Sequence, residues 1–127
     1  MTQNRPVNIN LLKIKLPLSA FLSITHRVSG ILIFFLVLPL SVMVFSELTH
    51  SQDSFDNFMH SYNSNLGIKL GCIGLMFIFQ YHIFTGIRHM LMDFHILNES
   101  LSSSFKSAVV TLILFVVNTL LTFWVMI

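Results

Sequence analysis

His82 stands in an apolar run, Leu70 to Ile87, that contains no Asp, Glu, Lys or Arg, and it is followed by Gly86, Arg88, His89 and Asp93. An ionisable side chain at membrane depth costs roughly 2.5–3.5 kcal/mol on insertion scales, so a partner that offsets the cost is expected. A neutral imidazole is a good ligand for iron, and a low-spin b-type heme takes one imidazole on each face of its ring. The competing reading is a hydrogen-bonding or proton-handling group, the commoner role of a histidine in a transmembrane helix. Gly86, four residues on, favours the ligand, because a missing side chain one turn away leaves room for the edge of a macrocycle. His89 falls about 10 Å further along the same helix face, so His82 and His89 cannot clamp opposite faces of one porphyrin. The second axial ligand is expected from another chain, or else from His26.

Ser23 and Arg27 form a second pair, four residues apart and on one helix face. The carbonyl oxygens of a quinone become anionic on one-electron reduction, and a hydroxyl donor beside a fixed cation binds such a group and stabilises its charge. The plain alternative is a helix-start serine with a snorkelling arginine. Arg27, Arg88 and His26 are expected at one membrane level, where they suit the anionic propionates of a heme. For the two arginines, interfacial anchoring of the topology is the alternative. His50, His60 and His95 fall in loops or at their edges, with solvated roles as the default. The single cysteine, Cys72, lies within the second apolar run and reads as packing.

The elements that hold these residues follow from composition. With 54% hydrophobic and only 9% charged residues in 127, and a mean hydropathy of +0.80, the chain is too apolar for a small soluble domain. Three runs lack Asp, Glu, Lys and Arg, namely Val28 to Ser46, Leu70 to Ile87 and Ser107 to Ile127. Each approaches the ~20 residues that cross a ~30 Å hydrocarbon layer. The expected fold is an all-α integral membrane protein in one domain with three transmembrane helices. It divides into an arm (1–16), a first helix (17–46), an outer loop (47–66), a second helix (67–92), an inner loop (93–106) and a third helix (107–127).

Orientation follows from the cations. Arg5, Lys13, Lys15 and Arg27 precede the first span without an acid, whereas Glu47, Asp53 and Asp56 face only Lys69 in the next connection. The N-terminus is therefore expected in the cytoplasm, with Trp124 at the outer interface. His26 and Arg27 interrupt the region where a cleaved secretory signal would have its apolar core, and no acid-poor, Arg- and Ser-rich leader of mitochondrial type is visible, so a bacterial inner membrane is expected. The net charge of +2 fits contact with anionic membrane lipid, and no basic run points to nucleic acid.

Several local features add to this. Leu12, Ile14 and Leu16 alternate with Lys13 and Lys15, as in an extended strip at a surface. Pro17 marks the start of the first helix, and Pro39 is expected to kink it. Phe55, Phe58, Met59 and Tyr62 recur at helical spacing, which predicts a short amphipathic helix on the outer surface capped by Asp53 or Ser54. Gly67, Gly71, Gly74 and Gly86 give the second span small faces that another helix or a flat ligand can approach closely. Three short spans enclose little interior, so a partner supplying further helices is expected.

Two stretches carry a resemblance to a known family. Arg5-Pro6-Val7, Leu11, Leu18 and Ser23-Ile24-Thr25-His26-Arg27-Val28-Ser29 resemble the N-terminal signature of the cytochrome b556 subunit of succinate dehydrogenase, the larger membrane anchor of respiratory complex II. The run His82-Ile83-Phe84-Thr85-Gly86-Ile87-Arg88-His89-Met90-Leu91-Met92-Asp93 resembles its second signature. The resemblance implies that His82 is an axial ligand of heme b iron, the other coming from a second, smaller anchor subunit, so that the heme-binding bundle is shared between two chains. It implies that Ser23 and Arg27 contact ubiquinone, and that His26 and Arg27 lie near the heme propionates. The flavoprotein and iron-sulfur subunits would be docked on the cytoplasmic side and deliver electrons from succinate, so the chain would serve quinone reduction within the tricarboxylic acid cycle and aerobic electron transport without oxidising succinate itself. One departure is visible: two positions after Asp93 the family usually has a small residue, and this chain has His95. A heme-free anchor of fumarate reductase type is the alternative within the superfamily, and a purely structural membrane scaffold is the alternative outside it.

Overall fold

A computed structural model describes residues 16–98 and 100–127. The arm up to Lys15 lies outside the described residues, as does Glu99. With it go Arg5, Pro6, Val7 and Leu11 of the first signature and the cations Lys13 and Lys15.

Helix α1 (Leu18–Leu32) begins after Pro17, whose carbonyl accepts the first helical bond from the Phe21 amide at 3.0 Å. It continues through a π-helical stretch (Ile33–Val37) into α2 (Leu38–His50), and the three form one span of 33 residues. Pro39 explains the stretch. Its ring has no N–H to donate and collides with the carbonyl four residues back, a conflict that a widened turn relieves. The Leu38 amide accordingly reaches back five residues to the Ile33 carbonyl. The expected kink is thus a local change of helical register. Helix α2 runs past Ser46, where the uncharged stretch ends, because Glu47 to His50 continue the turn and the Thr49 hydroxyl donates to the Phe45 carbonyl at 2.8 Å.

Helix α3 (Gln52–Ser64) is the amphipathic segment of the connection between the first two spans, with Phe58 and Tyr62 half-buried and Asp53, Asp56 and Asn57 exposed. Its cap is Ser51, correcting the expectation of Asp53 or Ser54. Ser51 is extended, its hydroxyl accepts from the Ser54 amide, and the Ser54 hydroxyl accepts from the Ser51 amide, both at 3.1 Å. Ser54 is therefore the reciprocal member of a capping box and Asp53 an acid in the first turn. The Tyr62 hydroxyl donates to the Met126 carbonyl at 2.7 Å, tying α3 to the end of the chain, and burial pushes that phenol above its ordinary pKa.

Helix α4 (Leu66–Asp93) starts at Asn65, whose side-chain oxygen accepts from the Gly67 amide at 2.8 Å. It ends in a Schellman arrangement: the Ile96 amide bonds to the Leu91 carbonyl at 3.0 Å, the His95 amide to the Met92 carbonyl at 2.9 Å, and His95 itself has φ 56°. This left-handed position is where glycine is freest, which gives the departure at His95 its physical meaning. Helix α5 (Leu101–Met126) begins in the serine-rich turn, ahead of the uncharged run at Ser107, because the Ser100 hydroxyl caps the Ser103 amide at 3.3 Å.

The three long helices are each apolar and long enough to cross a membrane, and the described secondary structure is helical throughout. Helix α4 is central and packs on both α1 and α5. On the α5 side Phe115 is buried with the rings of Phe77 and Tyr81 edge-on to it. Polar side chains fasten the same seam. Gln80 donates to the Thr122 hydroxyl at 2.6 Å and accepts from Thr119 at 3.3 Å. Such bonds between membrane helices contribute about 0.6–2 kcal/mol each. Trp124 is exposed, as an interfacial anchor would be.

Candidate functional site

The chemistry-bearing residues converge on the seam between α1 and α4. Thr25 meets Tyr81 by a hydroxyl–hydroxyl bond, His26 lies against Gly86, and Gly30 lies against His82. From His26 to Gly30 on α1 the facing residues run back from Gly86 to His82 on α4, so the two helices run antiparallel. Each carries a histidine followed by a glycine four residues later, and the histidine of one faces the glycine of the other. A Cβ on Gly30 would stand 3.3 Å from His82 Cε1, and a Cβ on Gly86 would stand 3.0 Å from His26 Nε2. Both glycines are therefore seats for imidazoles.

Between these seats the rings of His26 and His82 stack, with centroids 4.2 Å apart and planes 11° from parallel. His89 approaches His26 from the next turns of α4 at 5.2 Å, tilted by 50°. His82 Nδ1 lies 2.9 Å from the Ser29 hydroxyl, and that hydroxyl is 2.7 Å from the His26 carbonyl. His82 is half-buried while Ser29 is buried. His89 Nε2 is a buried nitrogen without a hydrogen-bond partner among the described residues.

This geometry corrects two expectations. The space beside Gly86, read from sequence as room for a macrocycle edge, is filled by His26. His26 cannot be the second axial ligand opposite His82, because bis-imidazole ligation directs two ring nitrogens at one iron from opposite sides of the porphyrin, whereas these two rings lie face to face. Among the described residues no group of three His, Cys, Asp or Glu side chains is arranged to hold a metal ion by itself. His82 does fit a single axial ligand. Ligating histidines hold their second ring nitrogen in a hydrogen bond that orients the ring, and Nδ1 here has one.

The remaining predicted residues lie around this cluster. Ser23 is half-buried and Arg27 exposed, one turn apart in the N-terminal part of the first span. Arg88 is turned the other way. It is buried, donates from Nε to the Ser107 hydroxyl at 3.1 Å and from Nη2 to the carbonyl and hydroxyl of Ser104, each at 3.1 Å. It therefore fastens α4 to α5, and the expectation of Arg88 beside the heme propionates does not match its position. Sequence reasoning missed Ser29, Gly30 and Gln80. Gly30 had a visible signal, since the spacing of His26 to Gly30 repeats that of His82 to Gly86.

Comparison with known proteins adds an independent line. Residues 1–122 match the family model described as the succinate dehydrogenase/fumarate reductase transmembrane subunit. The chain is 39% identical over 93 residues to the succinate dehydrogenase cytochrome b556 subunit of Coxiella burnetii, covering 73% of this chain and 74% of that one. It is 33% identical over 97 residues to the succinate dehydrogenase cytochrome b560 subunit of Reclinomonas americana, covering 73% and 67%. With the cytochrome b560 subunit of Porphyra purpurea it shares 35% identity over 107 residues, 83% of each chain.

Proposed function

Because the chain belongs to the succinate dehydrogenase/fumarate reductase transmembrane subunit family, we propose that it is the heme b-binding anchor of a succinate:ubiquinone oxidoreductase in a bacterial inner membrane. The observation that carries this reading is the seat of His82: a half-buried imidazole inside a transmembrane helix, backed by Gly30 and held at Nδ1 by a hydroxyl, with Nε2 left to bind iron. The names of the relatives support the same reading, since those of Coxiella and Reclinomonas are cytochrome b subunits. A heme bound here would supply one-electron storage. His82 would hold it with one ligand, and the second would come from a second anchor subunit, because His26 is committed to the stack.

Ser23 and Arg27 form one wall of the quinone site at the cytoplasmic end of α1, the hydroxyl donating to a carbonyl oxygen and the guanidinium stabilising the negative charge that develops on reduction. His26 and Arg27 would receive the propionates of a heme held by His82. The N-terminus and the connection between α4 and α5, with Arg88 and Lys106 near its two ends, are cytoplasmic, which puts the docking face for the iron-sulfur and flavoprotein subunits on the same side as the quinone. The chain oxidises no succinate by itself. Its part is to anchor the soluble subunits and complete the electron path to ubiquinone.

A dithionite-reduced difference spectrum of the purified complex tests the reading. The wild type should show a b-type α-band and His82→Ala should lose it while the four subunits still copurify. Retention of the band in that variant, or its absence from the wild type, overturns the assignment.

A further inference from the structure

We propose that Ser29 is a positioning residue that fixes the tautomer of His82 and so tunes the metal that His82 holds, an inference that rests on the reading of His82 as an axial ligand. Ser29 has one hydroxyl hydrogen and two candidate acceptors, the His26 carbonyl at 2.7 Å and His82 Nδ1 at 2.9 Å. The bond to the carbonyl three residues back is the shorter, and it is the local back-bond that a serine inside a helix makes. With its hydrogen committed there, the Ser29 oxygen has only lone pairs to offer His82. Nδ1 must then carry the ring hydrogen and donate, and Nε2 is left as the bare nitrogen that a metal requires.

The surroundings hold this arrangement in place. Ser29 is buried, so water does not compete for its lone pairs. Gly30 beside it lets the His82 ring come within 3.3 Å of where a Cβ would stand, and His26 covers the ring face. Thr85, at the matching place on α4, donates to the Tyr81 carbonyl at 2.7 Å and makes no corresponding bond to His26. The two halves of the seam thus differ: both histidines have a glycine seat, and only His82 has its second nitrogen held by the opposite helix.

A hydrogen bond accepted from Nδ1–H pushes electron density into the imidazole, strengthens Nε2 as a donor and favours the oxidised metal. In the assembled membrane complex, Ser29→Ala should keep its heme but take a more positive midpoint potential, seen as a several-fold rise in the reduced-to-oxidised ratio at a fixed ambient potential. Ser29→Thr, which keeps the hydroxyl, should restore the wild-type value. An unshifted potential in Ser29→Ala at full heme content overturns the proposal, as does an equal shift in Ser29→Thr. If the alanine variant loses its heme, Ser29→Cys, of similar volume but a poor acceptor, takes its place, and an unshifted potential there overturns it too. A His82→Ala complex that retains heme sinks the ligand reading itself; loss of heme in that variant together with an unshifted Ser29→Ala sinks only the tautomer assignment.

Discussion

The imidazoles of His26 and His82 lie face to face across the α1–α4 seam, 4.2 Å apart, each seated on the glycine of the opposite helix. The stack is held from both sides, so a methyl group on either glycine acts on a different ring. Gly86→Ala should displace His26, whose Nε2 stands 3.0 Å from the new carbon, and Gly30→Ala should press on His82 at 3.3 Å. Overpacking of this kind costs about 1–3 kcal/mol. Both variants should lower the thermal stability of the complex, but only Gly30→Ala should also shift the heme spectrum. Equal spectral shifts in the two would contradict the reciprocal seating.

Arg27 is exposed in the N-terminal part of the first span, with no structural burden comparable to that of Arg88. Arg27→Ala should therefore lower ubiquinone reduction, on the order of tenfold or more if it stabilises developing negative charge. Succinate oxidation with an artificial soluble acceptor should persist. Parallel loss of both activities would show that the residue serves assembly.

For Arg88 the expectation is reversed. Its three bonds to Ser104 and Ser107 fasten α4 to α5, and removal of charge-assisted bonds costs about 1.5–3 kcal/mol each where the partners stay buried. Arg88→Ala should reduce the yield and melting temperature of the complex while leaving the spectrum of whatever assembles unchanged. Arg88→Lys should recover little, because a single ammonium cannot reproduce the planar fork that reaches both serines. A spectral change at normal stability would place Arg88 at the heme after all.

His95 ends α4 at φ 56°, in the left-handed region where a side chain is strained. His95→Gly should stabilise the helix end by about 1 kcal/mol, seen as a rise in the melting temperature of the complex. A fall would show that interactions of the imidazole outweigh the backbone strain.

How far the sequence carried this picture depended on the kind of signal. Charge-free runs located the three spans, because hydrocarbon excludes charge regardless of packing, and the periodic Phe58 and Tyr62 marked the amphipathic helix between the first two spans. Helix ends were less legible: Ser51, Ser100 and Asn65 act as caps through geometry that a polar loop does not advertise. His82 stood out as a polar residue in an apolar run, but its partner did not. Ser29 looks like any small residue of a membrane helix until α4 is laid beside it, and only then do the hydroxyl and Nδ1 come within 2.9 Å. The direction of Arg88 was hidden for the same reason, since a cation near a helix end reads equally well as a lipid anchor, a propionate partner or an interhelical clasp.

The π-helical stretch in the first span has a consequence for timing along the helix. The residues of that span that face inward include Leu22, Ser29, Val37 and Val44, spaced by seven, eight and seven. The longer step crosses Ile33–Val37, where the widened turn absorbs one residue. An unbroken α-helix drifts by about 20° for every seven residues and about 80° the other way for eight. The extra residue is thus taken up without rotating the C-terminal half of the span away from α4. Pro39 and the π turn act together as a phase corrector: they let the N-terminal half keep the spacing that His26, Ser29 and Gly30 need for chemistry, while the C-terminal half keeps the spacing that apolar packing needs.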